Sequence, residues 1–285
     1  MTEVVSTVAS VRAAADAARV AGGTVGLVPT MGFLHAGHRS LMHAARSECD
    51  LVVVSVFVNP MQFGPNEDLD RYPRDLDGDL GACAAEGVDL VFAPGVREVY
   101  PEYPPATVVH VEGLTERLCG ASRPGHFDGV TTVVAKLFAI IGPCHAYFGE
   151  KDAQQLAVVR RMALDLNLPV EVVGCPIVRE PDGLALSSRN AYLTATERAA
   201  APGIARSLRA ASAAVDGGER DAAVVIGLVR AALDAIHGLD IDYVECVDAD
   251  TIRPIERLGG EVLLAVAVRL GQTRLIDNVR FRLAP

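Results

Sequence analysis

The chain has 285 residues, half of them hydrophobic, no tryptophan and a formal net charge of -10. That length predicts one large domain or two of ordinary size, and the acidic balance argues against nucleic acid as a main partner, because a phosphate backbone needs a basic surface. No apolar run approaches the ~18 residues of a membrane span and no apolar leader with a cleavage site is read, so the expectation is a cytoplasmic protein with no membrane contact.

In chain order, the spacing predicts an Ala-rich helix over 9–21, a buried strand over 24–28, a helix after His38 and a strand over 51–58. A helix over 75–86 and a strand over 89–92 follow. Residues 127–141 carry apolar groups at helical spacing (Val130, Val133, Val134, Leu137, Ile140, Ile141). Then come a strand at 146–148, a helix at 152–166 and a strand at 170–173. Strands alternating with helices predict an α/β fold with a doubly wound, Rossmann-like parallel sheet. In such sheets the ligand crevice lies beyond the carboxyl ends of the strands.

The pattern changes near residue 180. Glu180-Pro181-Asp182-Gly183 reads as a turn. Helices over 195–214 and 219–236 follow, broken at Gly217-Gly218, and then strands at 241–247, 261–268 and 273–281. Consecutive strands predict a small antiparallel sheet. The domains are therefore read as 1–177 and a smaller α+β domain, 178–285. The six cysteines show neither C-x-x-C nor a metal-ligand spacing, and are read as reduced, mostly buried thiols.

Polar clusters fall where predicted strands end. After the strand at 24–28 comes Pro29-Thr30-Met31-Gly32-Phe33-Leu34-His35-Ala36-Gly37-His38. A helix start offers unpaired N–H groups and a partial positive charge, which favour an anion. Two imidazoles there add donors for phosphate oxygens, which suits ATP; the plainer alternative is a polar helix cap. Asn59-Pro60-Met61-Gln62-Phe63 offers neutral amides suited to a small hydroxy acid, or is simply a polar turn. In Gly149-Glu150-Lys151-Asp152, Lys151 would meet phosphate as a point charge, and Asp152 would grip a ribose hydroxyl or cap the helix. Gln155 lies one helical turn from Lys151. Ser187-Ser188-Arg189-Asn190 reads as a phosphate clamp on a lid. Arg123 is either a partner for a substrate carboxylate or a surface arginine.

Together these segments, with Tyr72-Pro73-Arg74, resemble the pantoate–β-alanine ligases of the nucleotidyltransferase superfamily, over about residues 24–280. The resemblance implies ATP-dependent amide formation through a pantoyl adenylate, with pantoate, β-alanine and ATP as substrates, Mg²⁺ as cofactor and a homodimeric assembly. It implies that His35, His38, Lys151 and Arg189 are catalytic. ATP would be held by these four with Met31, Gly149, Asp152, Val178, Ser187 and Ser188. Pantoate would meet Gln62, Gln155, Met31, Val133 and Val134; Arg123 and Tyr72 would lie near β-alanine. Phe33, Ala36, Gly78, Ala153 and Leu186 depart from the family pattern. Gly78 interrupts an acidic pair, so Asp79 alone is carried as the metal contact. A nucleotidyltransferase that leaves a stable nucleotide conjugate is the competing reading.

Overall fold

The computed structural model describes residues 2–64, 67 and 69–284. They form two units. The first comprises Met1–Glu112, Arg123–Glu150 and Val158–Pro176; the second comprises Gly113–Ser122, Lys151–Ala157 and Ile177–Pro285. Segments 113–122 and 151–157, read from sequence as part of the first domain, thus belong to the second unit. Buried Gln154 ties them together: its amide donates to the Leu114 and Arg117 carbonyls, each at 2.8 Å, and accepts from the Cys119 N–H at 3.0 Å.

The first unit is built on six strands, β1 (Glu3–Val5), β2 (Val25–Thr30), β3 (Leu51–Val56), β4 (Leu90–Phe92), β5 (Cys144–Gly149) and β6 (Val170–Cys175). Their order is β1-β4-β3-β2-β5-β6, and every neighbouring pair is parallel. This is the expected doubly wound sheet, with β1 as an unpredicted edge strand. The winding reverses between β2 and β5, which makes their carboxyl ends the switch point. β2 runs two residues further than the sequence suggests, through Pro29. Pairing to β5 is confined to Gly26 and Leu27, so Pro29 lies where β2 is bonded to β3 alone; a missing N–H is tolerated there.

Helices α1 (Val8–Val20), α2 (Ala36–Glu48), α3 (Leu76–Ala85), α4 (Val96–Val99), α5 (Cys119–Ser122), α6 (His126–Ile141) and α7 (Ala153–Asp165) intervene, with α5 and the start of α7 in the second unit. Leu41, Met42 and Ala45 of α2 pack on Val28, Val52 and Val54 of the sheet. All six cysteines are unpaired and five are buried. Burial pushes the Cys83, Cys144 and Cys246 thiols up to about 12, so they stay protonated and inert at neutral pH.

In the second unit, β7 (Leu239–Asp248), β8 (Glu261–Leu270) and β9 (Thr273–Arg282) form the expected antiparallel sheet, in that order. Side chains of a strand alternate between faces. Val262, Leu264, Val266 and Val268 of β8 pack with α9 (Pro202–Asp216) and α10 (Ala222–Asp234), while Leu263, Ala265 and Ala267 pack with Leu118, Ala153 and Ala157. The single helix read over 195–214 is two, α8 (Ala195–Ala200) and α9, because Pro202 cannot donate the hydrogen bond a continuous helix needs.

Gly129 of α6 shows how closely backbones meet beside the switch point. A Cβ there would lie 2.2 Å from the Met61 carbonyl oxygen and 2.7 Å from the Gln62 nitrogen. Gly129→Ala is expected to destabilise the protein by about 1–3 kcal/mol in chemical denaturation. Gly149→Ala, whose Cβ meets nothing within 4 Å, serves as the control; equal effects would contradict the packing assigned to Gly129.

Candidate active site

The turn from β2 into α2 is organised by side chains that accept from successive backbone N–H groups. The Thr30 hydroxyl accepts from Gly32 N at 3.1 Å and donates to the Ser55 carbonyl at 2.8 Å. The Asp79 carboxylate accepts from Phe33 N at 3.0 Å and Leu34 N at 2.7 Å. His38 Nδ1 accepts from His35 N at 3.3 Å, and His35 Nδ1 accepts from Gly37 N at 3.1 Å. The loop crosses positive φ at Gly32 (79°) and Phe33 (52°). Left-handed backbone at a residue with a Cβ costs about 1–2 kcal/mol, which the two Asp79 hydrogen bonds offset.

These bonds decide the histidine chemistry. An imidazole nitrogen that accepts a hydrogen bond carries no proton, so both rings are neutral and protonated on Nε2. The rings lie 4.1 Å apart between centroids, tilted by 31°. Each Nε2–H is a donor at a half-buried helix N-terminus, where the backbone already favours an anion.

Asp79, expected at a metal, also braces this loop. It is only 3 % exposed, and both of its oxygens accept backbone N–H bonds. Burial pushes its carboxyl above the usual carboxylate range; the two N–H bonds oppose the rise and Asp75 adds to it. Among the described residues, no group of three or more His, Cys, Asp or Glu side chains could hold a metal ion.

The second cluster centres on fully buried Asn59. Its Oδ1 accepts from the Tyr100 hydroxyl at 3.0 Å and from Met61 N at 3.3 Å, and its Nδ2 donates to the Gly129 carbonyl at 2.9 Å. With the donor end of Asn59 so assigned, the Gln62 atom 3.1 Å away must be the acceptor Oε1. The Gln62 amide NH₂ is then the end not engaged by Asn59. The Gln62 main-chain carbonyl accepts from Arg123 at 3.2 Å and from His126 Nδ1 at 2.9 Å.

Arg123 is not a lone surface residue. It forms two hydrogen bonds to Glu67, at 2.7 and 2.5 Å. Burial alone would raise the Glu67 carboxyl, but Arg123 holds it below its ordinary value. Tyr72 is buried with its ring edge-on to Phe63, and Val133 and Val134 are buried on α6. Met31 is half-buried on the β2–α2 turn, and Gly149 ends β5 at the switch point. The sequence reading missed Glu67. The spacing of Arg123 and His126 beside Gln62 becomes meaningful only once α6 is docked on residues 60–62.

The second unit holds the remaining candidates. Lys151 and Asp152 lie on the single turn Glu150–Asp152 before α7, with Lys151 Nζ 3.7 Å from Asp152 Oδ1. Gln155 is half-buried on α7. Val178 opens a hairpin: its carbonyl accepts from Leu186 N at 3.0 Å, and Glu180 N donates to the Leu184 carbonyl at 2.8 Å. The Ser187 hydroxyl caps the turn Ser188–Tyr192, accepting from Arg189 N at 3.3 Å. Asn190 ties that turn back to the Glu180 carboxylate and the Ala185 carbonyl. Ser187, Ser188 and Arg189 therefore sit on a braced hairpin.

Comparison with known proteins shows the family. Residues 3–280 match the family described as pantoate-beta-alanine ligase. A pantothenate synthetase of Moorella thermoacetica is 57% identical over 278 residues, covering 97% of this chain and 98% of that protein. The crystal structure of pantothenate synthetase from Thermus thermophilus superposes with a TM-score of 0.92 at 50% identity, over 100% of both chains. A pantoate-beta-alanine ligase from Francisella tularensis, solved with beta-gamma ATP and beta-alanine, matches with a TM-score of 0.79 at 32% identity, over 98% of this chain and 97% of that one. The chain belongs to the pantoate-β-alanine ligase family.

Proposed function

We propose that this protein joins pantoate to β-alanine using ATP. In the first step a pantoate carboxylate oxygen attacks the α-phosphorus, the bond to the β-phosphate oxygen breaks, and pyrophosphate leaves. In the second, the β-alanine amine attacks the acyl carbon of the pantoyl adenylate, loses a proton and expels AMP. The observation that carries this reading is the histidine pair at the start of α2, where a backbone N–H donates to Nδ1 of each ring and so directs the proton to Nε2. Neither step needs a covalent protein nucleophile. Adenylation needs oriented donors and positive charge where charge develops on phosphorus, and a reactive mixed anhydride needs water kept out.

In this reading His35 and His38 donate to phosphate oxygens. Lys151, Ser187, Ser188 and Arg189 supply further donors and charge to the same triphosphate. Met31, Gly149, Asp152 and the backbone at Val178 hold the nucleoside. The Gln62 amide NH₂, set by Asn59, binds pantoate together with Gln155, Met31, Val133 and Val134. Arg123 acts at the β-alanine end by fixing the Gln62 loop as much as by charge, with buried Tyr72 beside Phe63 as its neighbour in that loop. Mg²⁺ would enter as the counter-ion of ATP, since it commonly takes few carboxylates and several phosphate oxygens; the Asp79 carboxylate fits it poorly, its oxygens being committed to Phe33 and Leu34. No helix of the described residues is long and apolar enough to cross a membrane, and we take the family's homodimer and a cytoplasmic setting as those of this chain.

The direct test mixes protein, Mg-ATP and pantoate, with and without β-alanine. AMP and pantothenate are expected in equal amounts, and only when the amine is present; a stable nucleotide conjugate would contradict the ligase reading. Lys151→Ala is expected to slow pyrophosphate release by about 10²–10³-fold while the protein stays folded; wild-type turnover would remove Lys151 from the site. Asp79→Asn places an amide NH₂ against one of two backbone donors, so ATP binding measured by calorimetry is expected to weaken about tenfold or more. An unchanged ATP affinity with a shifted Mg²⁺ requirement would return Asp79 to the metal.

A further inference from the structure

β9 carries two adjacent polar residues that the activity described above does not use. Asp277 and Asn278 are each 4 % exposed, in the middle of a strand paired along its length with β8. Buried polar side chains are retained where each finds a partner, and the partners here are informative. Asn278 Nδ2 donates to the Lys151 carbonyl at 2.9 Å. Asp277 takes both ends of the Arg179 guanidinium, at 2.7 and 2.9 Å, and also accepts from Asn278 N at 2.8 Å. Arg179 in turn donates to the Gly183 carbonyl at 3.1 Å and pairs with Ala185 across the hairpin that leads into Ser187.

We propose that Asp277 and Asn278 are positioning residues that set Lys151 and the Ser187–Arg189 turn against one rigid strand. Neighbouring strand residues point to opposite faces, so one dipeptide can reach two segments that are 28 to 38 positions apart in sequence. The grip on each is through fixed groups: a main-chain carbonyl at Lys151 and a two-pronged arginine–carboxylate pair at Arg179, a geometry that constrains direction as well as distance. A lysine side chain is long and rotamer-rich, so its aim depends on where its backbone is held. Asp277 and Asn278 touch no substrate in this scheme; they act through Lys151 and the hairpin. The inference rests on the reading of Lys151 and Ser187–Arg189 as groups that hold the ATP phosphates.

The test is Asn278→Asp, which keeps shape but sets an acceptor against the Lys151 carbonyl. Pyrophosphate release from ATP and pantoate is measured beside Lys151→Ala and the double variant. Asn278→Asp is expected to slow this step at least tenfold, with the pantoate KM within twofold of wild type. The double variant is expected to be no slower than Lys151→Ala alone, because the two act through one group. Multiplicative losses, or equal rises in both substrate KM values, would make the residue merely structural and overturn the proposal. If Lys151→Ala itself is wild type, the reading of Lys151 fails instead. Should Asn278→Asp not fold, Arg179→Lys is measured: a raised ATP KM with unchanged pantoate KM supports the bracing of the hairpin, and an unchanged ATP KM overturns it.

Discussion

The structure around the candidate site depends on how the β2–α2 turn disposes of its backbone N–H groups. A chain that leaves a strand and starts a helix exposes several donors with no partner in either element. Here Thr30, Asp79, His38 and His35 accept from them in sequence. Two of those acceptors are also the groups expected to act on phosphate. Capping the turn and setting the imidazole tautomers are thus one event. A ring held through Nδ1 by backbone has its Nε2 proton fixed in direction and needs no reorganisation when an anion arrives. Asp79 holds the two residues that precede His35. Without it, the left-handed step at Phe33 would lose its support.

The same economy appears at the other segments. Asn59 fixes Gln62 by offering only its donor end, and Arg123 and His126 grip the Gln62 carbonyl from α6. Gly129 lets α6 approach the backbone of 61 and 62 closely enough for that grip. In the second unit, β9 holds the backbone at Lys151 and the hairpin before Ser187. In each case a residue expected to touch substrate is held by a buried amide or carboxylate that itself is shielded from water. Low local dielectric strengthens such bonds and makes their loss costly.

Much of the fold was legible in the sequence because its signals are local. Val-rich strands such as the one read over 51–58, which the structure ends at Val56, and the apolar spacing of 127–141 report buried faces directly. Limits of elements were less so: Pro29 reads as a strand end, yet β2 continues to Thr30 because β5 no longer pairs with it there. The three-residue edge strand at 3–5 carries too little pattern to stand out. The histidine motif, Gln62 and Lys151 were readable as polar groups at strand ends. Asp79, Glu67 and Asn278 were not, because their roles come from partners 45, 56 and 127 positions away. One signal was available for the last: an Asp-Asn pair inside an otherwise apolar-alternating strand implies buried polar groups with specific partners.

Backbone donors hold the His35 and His38 imidazoles with Nδ1 unprotonated and the proton on Nε2. Nitrogen NMR of protein labelled with ¹⁵N-histidine, assigned by comparison with His35→Asn and His38→Asn, reads this directly. At neutral pH, Nδ1 of both rings is expected at the shift of an unprotonated imidazole nitrogen and Nε2 at that of a protonated one. Either ring carrying its proton on Nδ1, or on both nitrogens, would contradict the account.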